Sequence, residues 1–482
     1  MAAFTDKFSR LAALKPARSS ANGSALHGGT PRTSVEPHVA LHMAPHAETL
    51  REPCEEDTLA RLLGAGVSRN RYGEHLAVRN WYASPEFAPP SEMALEILSR
   101  TRDEVPSRKT RAALSDPEKW LFLDTETTGL AGGTGTYAFL VGLAWWDAGG
   151  LQVEQLFMRD FTEECSVLCA LAARLAERPV LVTYNGKTFD WPLLESRFTM
   201  TRSIAAPKLA AHLDLLHPAR AVWKLRLGSV RLADVERHVL NPATLGWDRD
   251  DDTASAMIPQ YYFDYLRGGP PEPLLGIARH NQMDLRGLAA LYGKLDALIS
   301  TELPDAGSVD GRDLFGLSRY LQRRGHRARA QTACTQALDF GLPHEVRPQA
   351  RRELAQHAKR CGEHDRAAEL WHEIVGSDAS EGVHACAELA IHYERRAKNH
   401  ERALEFAQLA LAELRKVRLL NSRWPSGNYA GAFPGVMAAK SSGGREARLE
   451  QSLLKRVARL ERRLAARSAT TPLLGAITAA KH

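Results

Sequence analysis

Residues 120–135 read WLFLDTETTGLAGGTG, and the reading of the whole chain turns on them. The apolar run from Trp120 to Leu123 predicts a buried strand over 120–126, and two carboxylates, Asp124 and Glu126, arrive at its end. Side chains two apart in a strand share a face, so both acids project to the same side. Gly129, Gly132, Gly133 and Gly135 then allow a tight turn beside them. Two neighbouring acids repel each other, and a divalent cation removes that repulsion, because Mg²⁺ and Mn²⁺ take hard oxygen ligands. A DxE pair is common by itself, and its plain alternative is a strand end with two solvated acids.

Working outward, TYAFLVGLAWW (136–146) and LQVEQLFMRD (151–160) predict two more strands, with a hairpin turn at Asp147–Gly150. A helix is expected over 163–177 and a fourth strand over 179–184. The stretch NGKTFDWPLLESRF follows, with Pro192 suited to the first turn of a helix carrying Leu193, Leu194 and Phe198. KLAAHLDLLHP (208–218) looks like a fifth strand. Helices are expected at 229–239, 256–267 and 273–299, interrupted by the acidic loop WDRDDD (247–252). A three-strand meander, then helix, strand, helix, is the order of a ribonuclease-H-like α/β fold, a mixed sheet flanked by helices.

Two further motifs strengthen the first. Asn185-Gly-Lys-Thr-Phe189-Asp190 follows the fourth strand, and Asp190 opens a helix, where a carboxylate is electrostatically favoured. In His280-Asn-Gln-Met-Asp284 the terminal pair lies one turn apart on one helix face. Asp124, Glu126, Asp190 and Asp284 thus give four carboxylates and His280 an imidazole. Such a set suits phosphodiester hydrolysis by two metal ions, with an imidazole as general base.

Together and in this order, the motifs resemble the DEDD superfamily of 3′→5′ exonucleases. They are closer still to the YprB-type ribonuclease-H-like family, through FLDTETTGLAGGTGT, LVTYNGKTFDWPLLESR, HLDLLHPAR and HNQMDLRGLAAL. The likeness covers about residues 115 to 300. It implies a metal-dependent 3′→5′ exonuclease of single-stranded DNA or RNA; the alternative is a non-catalytic nucleic-acid-binding or protein-interaction scaffold built on the same fold. Asp124, Glu126, Asp190 and Asp284 would hold two Mg²⁺ or Mn²⁺ ions, Asp124 as the bridging ligand. His280 is the expected general base; an ordinary helix-surface histidine is its alternative. The best-known branches place a Tyr four residues, or a His five, before the last Asp, whereas His280 lies four before Asp284. Asn185 and Lys187 are expected to orient the substrate, their alternatives being a turn-forming Asn and a solvated Lys. Asp214 reads as structural support.

Beyond residue 304 the chain becomes rich in Ala, Arg and Glu. GHRARAQTACTQAL (325–338), GEHDRAAELWHEIV (362–375) and KNHERALEFAQLAL (398–411) recur 36 to 38 residues apart. Each joins a small loop, an Arg-Ala step and an apolar helix, which resembles tetratricopeptide-type (TPR-like) helical hairpins and suggests a partner-binding arm. The basic stretch from Arg445 to Arg467 carries Leu449, Leu453, Val457, Leu460 and Leu464 on one face, for packing or for contact with a nucleic-acid backbone. The aromatics Tyr261, Tyr262, Phe263 and Tyr265 suit either a core or base stacking.

The expected domains are a disordered segment (1–45), an extension packing on the nuclease domain (46–115), the ribonuclease-H-like domain (116–300) and TPR-like repeats (310–415). A linker (416–444), the basic amphipathic helix (445–467) and a tail (468–482) complete the chain. At 482 residues the length fits more than one core. The net charge of +6 is compatible with a polyanionic partner. Six scattered cysteines without a CxxC pair argue against a zinc site and for thiols in a reducing cytosol, hence a cytoplasmic protein. The glycine-rich stretch lacks the GK[ST] ending of a P-loop. The longest strongly apolar run, Tyr137 to Trp146, is too short for a membrane span.

Overall fold

The computed structural model describes residues 49–51, 57–83, 91–99, 107–129, 135–147, 149–241, 246, 249, 253–300, 309–377, 379–423 and 439–479. The expectations for the first 45 residues, for Gly132 and Gly133, and for Asp248, Asp250, Asp251 and Asp252 lie outside them. So do Cys54 and most of the expected linker.

Strand β1 (Thr49–Arg51), helix α1 (Thr58–Leu63), strands β2 (Gly66–Asn70) and β3 (Gly73–Ala83), and helices α2 (Glu92–Ser99) and α3 (Arg108–Leu114) come first. Next are β4 (Trp120–Thr127), β5 (Ala138–Asp147), β6 (Gly150–Phe157), α4 (Glu164–Glu177), β7 (Val180–Thr183), α5 (Asp190–Thr201) and β8 (Ala211–Asp214). The described strands form one sheet in the order β1-β2-β3-β6-β5-β4-β7-β8. Pairings β4–β7 and β7–β8 are parallel and the others antiparallel, so the sheet is mixed as expected. The sheet is wider than the sequence suggested, because β3, from RYGEHLAVRNWYA, pairs with β6 and carries β2 and β1 beyond it.

Helices cover both faces, and this explains the uninterrupted apolar run in β4. Leu121 and Leu123 join one core, with Phe139, Leu171 and Phe198, while Trp120 and Phe122 join the other, with Val222, Trp223 and Tyr292. The expected fifth strand is shorter than proposed: β8 ends at Asp214, and LHPAR opens helix α6 (Leu216–Leu227). Short apolar runs do not separate strand from helix by periodicity, and the Asp214 carboxylate accepts the Leu216 N–H at 3.1 Å to start the helix.

Helix α7 (Leu232–Val235), a π-helical segment (Glu236–Leu240), α8 (Ile258–Leu266) and the long α9 (Glu272–Ser300) complete this half. On α9, Leu274, Ile277 and Ala278 belong to the first core, and Leu285, Leu288, Leu291 and Leu295 to the second. The helix therefore crosses from one layer to the other, and residues 280–284 lie at the crossing. In α8, Tyr262 is buried, stacked on Phe139 with ring centroids 4.0 Å apart, and donates to the Met158 carbonyl. That aromatic serves the core.

Among the described residues that follow, the elements are all helices: α10 (Gly311–Arg323), α11 (Arg327–Asp339), α12 (Arg347–Cys361), α13 (His364–His372), α14 (Ala379–Arg395), α15 (His400–Arg423) and α16 (Ala439–Ala479). Gly325, Gly362 and Lys398 begin the three recurring sequences. All three have positive φ, and each turn is followed five residues later by a buried alanine, Ala330, Ala367 or Ala403. The repeats are thus the turn and second helix of three hairpins. The leucine stripe of α16 packs, with Leu453 and Leu460 buried, and Arg456 and Arg459 pair with Glu394.

Helix α10 is rooted in the sheet half. Leu317, Tyr320 and Leu321 belong to the second core, and Arg226 of α6 donates to both carboxylate oxygens of Asp313 at 2.8 Å. Gly316 lies against the backbone of α6. A Cβ there would collide with the carbonyl of Val222 and stand 2.6 Å from that of Ala221. Among the described residues no helix is long and apolar enough to cross a membrane, and Cys165, Cys169, Cys334, Cys361 and Cys386 are free thiols.

Candidate active site

Register across three strands builds the floor of the site. Asp124 on β4 pairs with Gly142 on β5, which pairs with Gln155 on β6, so the three residues form one row. The missing side chain at Gly142 leaves room for Asn281 of α9; a Cβ would collide with the amide, 2.7 Å from its Cγ. Gln155 Nε2 donates to Asn281 Oδ1 at 2.9 Å and to the Ala278 carbonyl at 2.7 Å. Asn281 Nδ2 in turn donates to Asp124 Oδ2 at 2.8 Å. A chain of buried amides thus fixes both the carboxylate and the point where α9 crosses the sheet.

The other expected residues arrive from three elements. His280 Nε2 lies 4.0 Å from Glu126 Oε1 and 3.6 Å from Asp284 Oδ2. Asp190, first residue of α5, comes from the opposite layer and accepts a 2.6 Å bond from Thr125 Oγ1. All four carboxylates and His280 therefore gather at the end of β4. Burial pushes the Asp124 carboxyl well above the usual carboxylate range, and the charges of Asp284, Glu126 and Asp190 push it further. Burial raises Asp190 as well, against the Thr125 hydrogen bond.

Asn185 and Lys187 lie on the loop before α5, Asn185 in the left-handed region with φ 68°, where asparagine is among the better tolerated residues. Their backbone N–H groups donate to the two carboxylate oxygens of Asp214, at 2.8 and 3.2 Å. Asp214 is thus the structural support expected of it: it ties this loop to the start of α6. The Lys187 side chain is exposed, as is Phe189.

Beside this loop, His212 Nε2 lies 2.8 Å from Thr183 Oγ1. Burial, with the charge of Lys187, brings His212 down to about 4, against the pull of Asp214. The unfolded chain takes up this proton near pH 6.5 and the folded chain does not, so stability falls as pH drops from about 6.5 to 4. His212→Gln should flatten that acid limb; urea unfolding at pH 4.5 and 7 measures it. An unchanged difference between the two pH values would contradict the assignment.

One unexpected residue enters the site. Arg249 pairs with Asp284, and its Nε and Nη2 donate to the two oxygens of Glu236 at 2.6 and 2.8 Å. Sequence reading missed Asn281, Gln155, Gly142, Thr125, Glu236 and Arg249. Gly142 and Gln155 carried a signal, a glycine and an amide inside apolar strands, since a strand glycine marks a close approach. Arg249 carried none, being one basic residue in an acidic run.

The donors are the hard oxygens that Mg²⁺ or Mn²⁺ prefers, and Asp284, Glu126 and Asp190 lie close enough to add their charge to the effect of burial on Asp124. Among the described residues, no three His, Cys, Asp or Glu side chains stand as a formed cation cage.

Comparison with known proteins places these observations. The RNase_H superfamily profile matches residues 121–296, from β4 to near the end of α9. The protein named "Uncharacterized protein YprB", from Bacillus subtilis (strain 168), is 30% identical over 295 residues, covering 61% of this chain and 69% of that protein. The family B DNA polymerase of the archaeon Pyrobaculum calidifontis aligns at 16% identity with a TM-score of 0.28. That alignment covers 43% of this chain and 29% of the polymerase, a likeness too slight to bear on fold or function.

Proposed function

Because this chain belongs to the YprB-type, ribonuclease-H-like family, we propose that it is a metal-dependent nuclease, a 3′→5′ exonuclease acting on single-stranded DNA or RNA. The observation that carries the proposal is the meeting of Asp124, Glu126, Asp190, Asp284 and His280, from β4, α5 and α9, at one strand end. Asp124, Glu126, Asp190 and Asp284 would hold two Mg²⁺ or Mn²⁺ ions. When bound, such ions supply positive charge that acidifies the attacking water and steadies the leaving oxygen.

The chain's own residues do the rest. His280, between Glu126 and Asp284, takes the proton of the attacking water. Attack at phosphorus breaks the bond to the 3′-oxygen and releases a nucleoside 5′-monophosphate. Lys187 and Asn185 orient the phosphate at the rim, on a loop held by Asp214. The TPR-like arm binds a protein partner. The expected setting is a reducing cytosol, on the scattered cysteines and missing CxxC pair of the sequence.

The test is incubation of 5′-labelled single-stranded RNA and DNA with the full chain and Mn²⁺. A ladder shortened from the 3′ end is expected, absent with EDTA. Internal cuts would instead indicate an endonuclease. The Arg249–Asp284 pair favours a second reading, a domain that binds nucleic acid without cutting. Intact substrate that shifts in a gel would establish that one.

Asn281→Ala separates support from chemistry. Asp124 loses the hydrogen bond that lowers its pKa, so the acid limb of the pH–rate profile should move to higher pH. Stability should fall by about 1–3 kcal/mol, since Gln155 loses one acceptor and a buried amide is deleted. Loss of stability with an unmoved acid limb would confine Asn281 to packing.

A further inference from the structure

Arg249 is held too deliberately to be incidental. Its side chain is 7% exposed and that of Glu236 4%, so both charges are withdrawn from water. Burying charge is costly unless it is paired, and the two-pronged contact with Glu236 is the geometry in which a guanidinium serves best. The fold makes space for this anchor. Gly287 lies three residues beyond Asp284 on α9, and a Cβ there would collide with Glu236 Oε1. Glu236 itself opens the π-helical segment, a rare conformation that often marks a working site. Nε and Nη2 both donate to Glu236, and Nη2 donates to Asp284 as well, so one guanidinium edge bridges the two acids.

A guanidinium paired with Asp284 neutralises the carboxylate that the metal-site reading gives to a cation. We propose that Arg249 is a built-in counter-ion for the metal-free site. It holds Asp284 against the other acids and yields that carboxylate when a divalent cation arrives. Metal binding at this position is then an exchange of one cation for another. This inference rests on the metal-binding reading above, and the experiment distinguishes the failure of each.

The full chain, stripped with EDTA, is titrated with Mn²⁺ by calorimetry, and its melting is followed with and without Mn²⁺. Arg249→Gln should melt lower than wild type when metal-free, because Asp284 loses its counter-charge. It should bind Mn²⁺ about tenfold more tightly, the exchange no longer opposing the ion. Its Mn²⁺-induced rise in melting temperature should exceed that of wild type. Equal Mn²⁺ affinity in the two proteins overturns the exchange and leaves the metal site standing. No Mn²⁺ binding by either protein overturns the metal site and the exchange together. Should Arg249→Gln fail to fold, Arg249→Lys decides. Lysine keeps the charge but not the fork, so Mn²⁺ binding tighter than wild type supports the exchange and equal binding overturns it.

Discussion

Asp124→Asn is expected to lower hydrolysis by at least about a thousandfold and, in the absence of metal, to make the protein more stable. The two effects share one cause. Burial and the charges of Asp284, Glu126 and Asp190 lift the Asp124 carboxyl above its unfolded value. A group raised in this way contributes stability in full below its unfolded pKa, near 4, and loses it as pH rises through the folded pKa. At neutral pH the carboxylate is therefore a burden on the metal-free fold. Asparagine removes the charge and still offers an acceptor to Asn281 Nδ2. In EDTA at pH 7.5 the variant should gain about 1–2 kcal/mol in urea unfolding. The gain should shrink as pH falls toward the unfolded value and wild type takes up the proton, and Mn²⁺ should stabilise the variant less than wild type. A variant less stable than wild type in EDTA would contradict the electrostatic account.

Gly316→Ala should be among the most damaging single-methyl additions in the chain. The new Cβ would meet the Val222 and Ala221 carbonyls, backbone atoms of α6 that cannot rotate away as a side chain would. Overpacking of this kind costs about 1–3 kcal/mol, and here the loss should reach the upper end. The expected readout is a lower urea midpoint for the whole protein, because α10 shares the second core with α6 and α9. Gly293→Ala, on the open side of α9 with nothing within 4 Å, is the matched control and should raise stability by about 0.5–1 kcal/mol through helix propensity. Equal effects at the two positions would show that the seam has slack.

Much of the site was legible because its chemistry sits in short, regular pieces. Asp124 and Glu126 follow an apolar strand, and His280 and Asp284 obey helical spacing, so local geometry gave each pair its direction. The support was harder to read. Gln155, Gly142 and Asp124 form a row only through strand register, and Asn281 joins them only through the close approach of α9. Those relations depend on which strands neighbour one another, and pattern alone does not determine that. The same limit hid β3, because nothing in its own sequence names its partner β6. The fifth strand was overextended because HLDLLHP fits either period, and only the Asp214 bond to Leu216 N–H sets the boundary. Arg249 is legible only in space.

The crossing of α9 between the two layers limits how the sequence can drift. Its two ends are anchored in separate cores, so the helix cannot swivel to absorb a local change. Inserting a single residue ahead of His280 would turn everything beyond it by about 100° and carry His280, Asn281 and Asp284 off the site together. An insertion between Glu126 and Asp190, placed in a surface connection, would shift no such phase. The intervals separating the motifs are thus free to lengthen or shorten among relatives, whereas the five residues HNQMD are locked to one count.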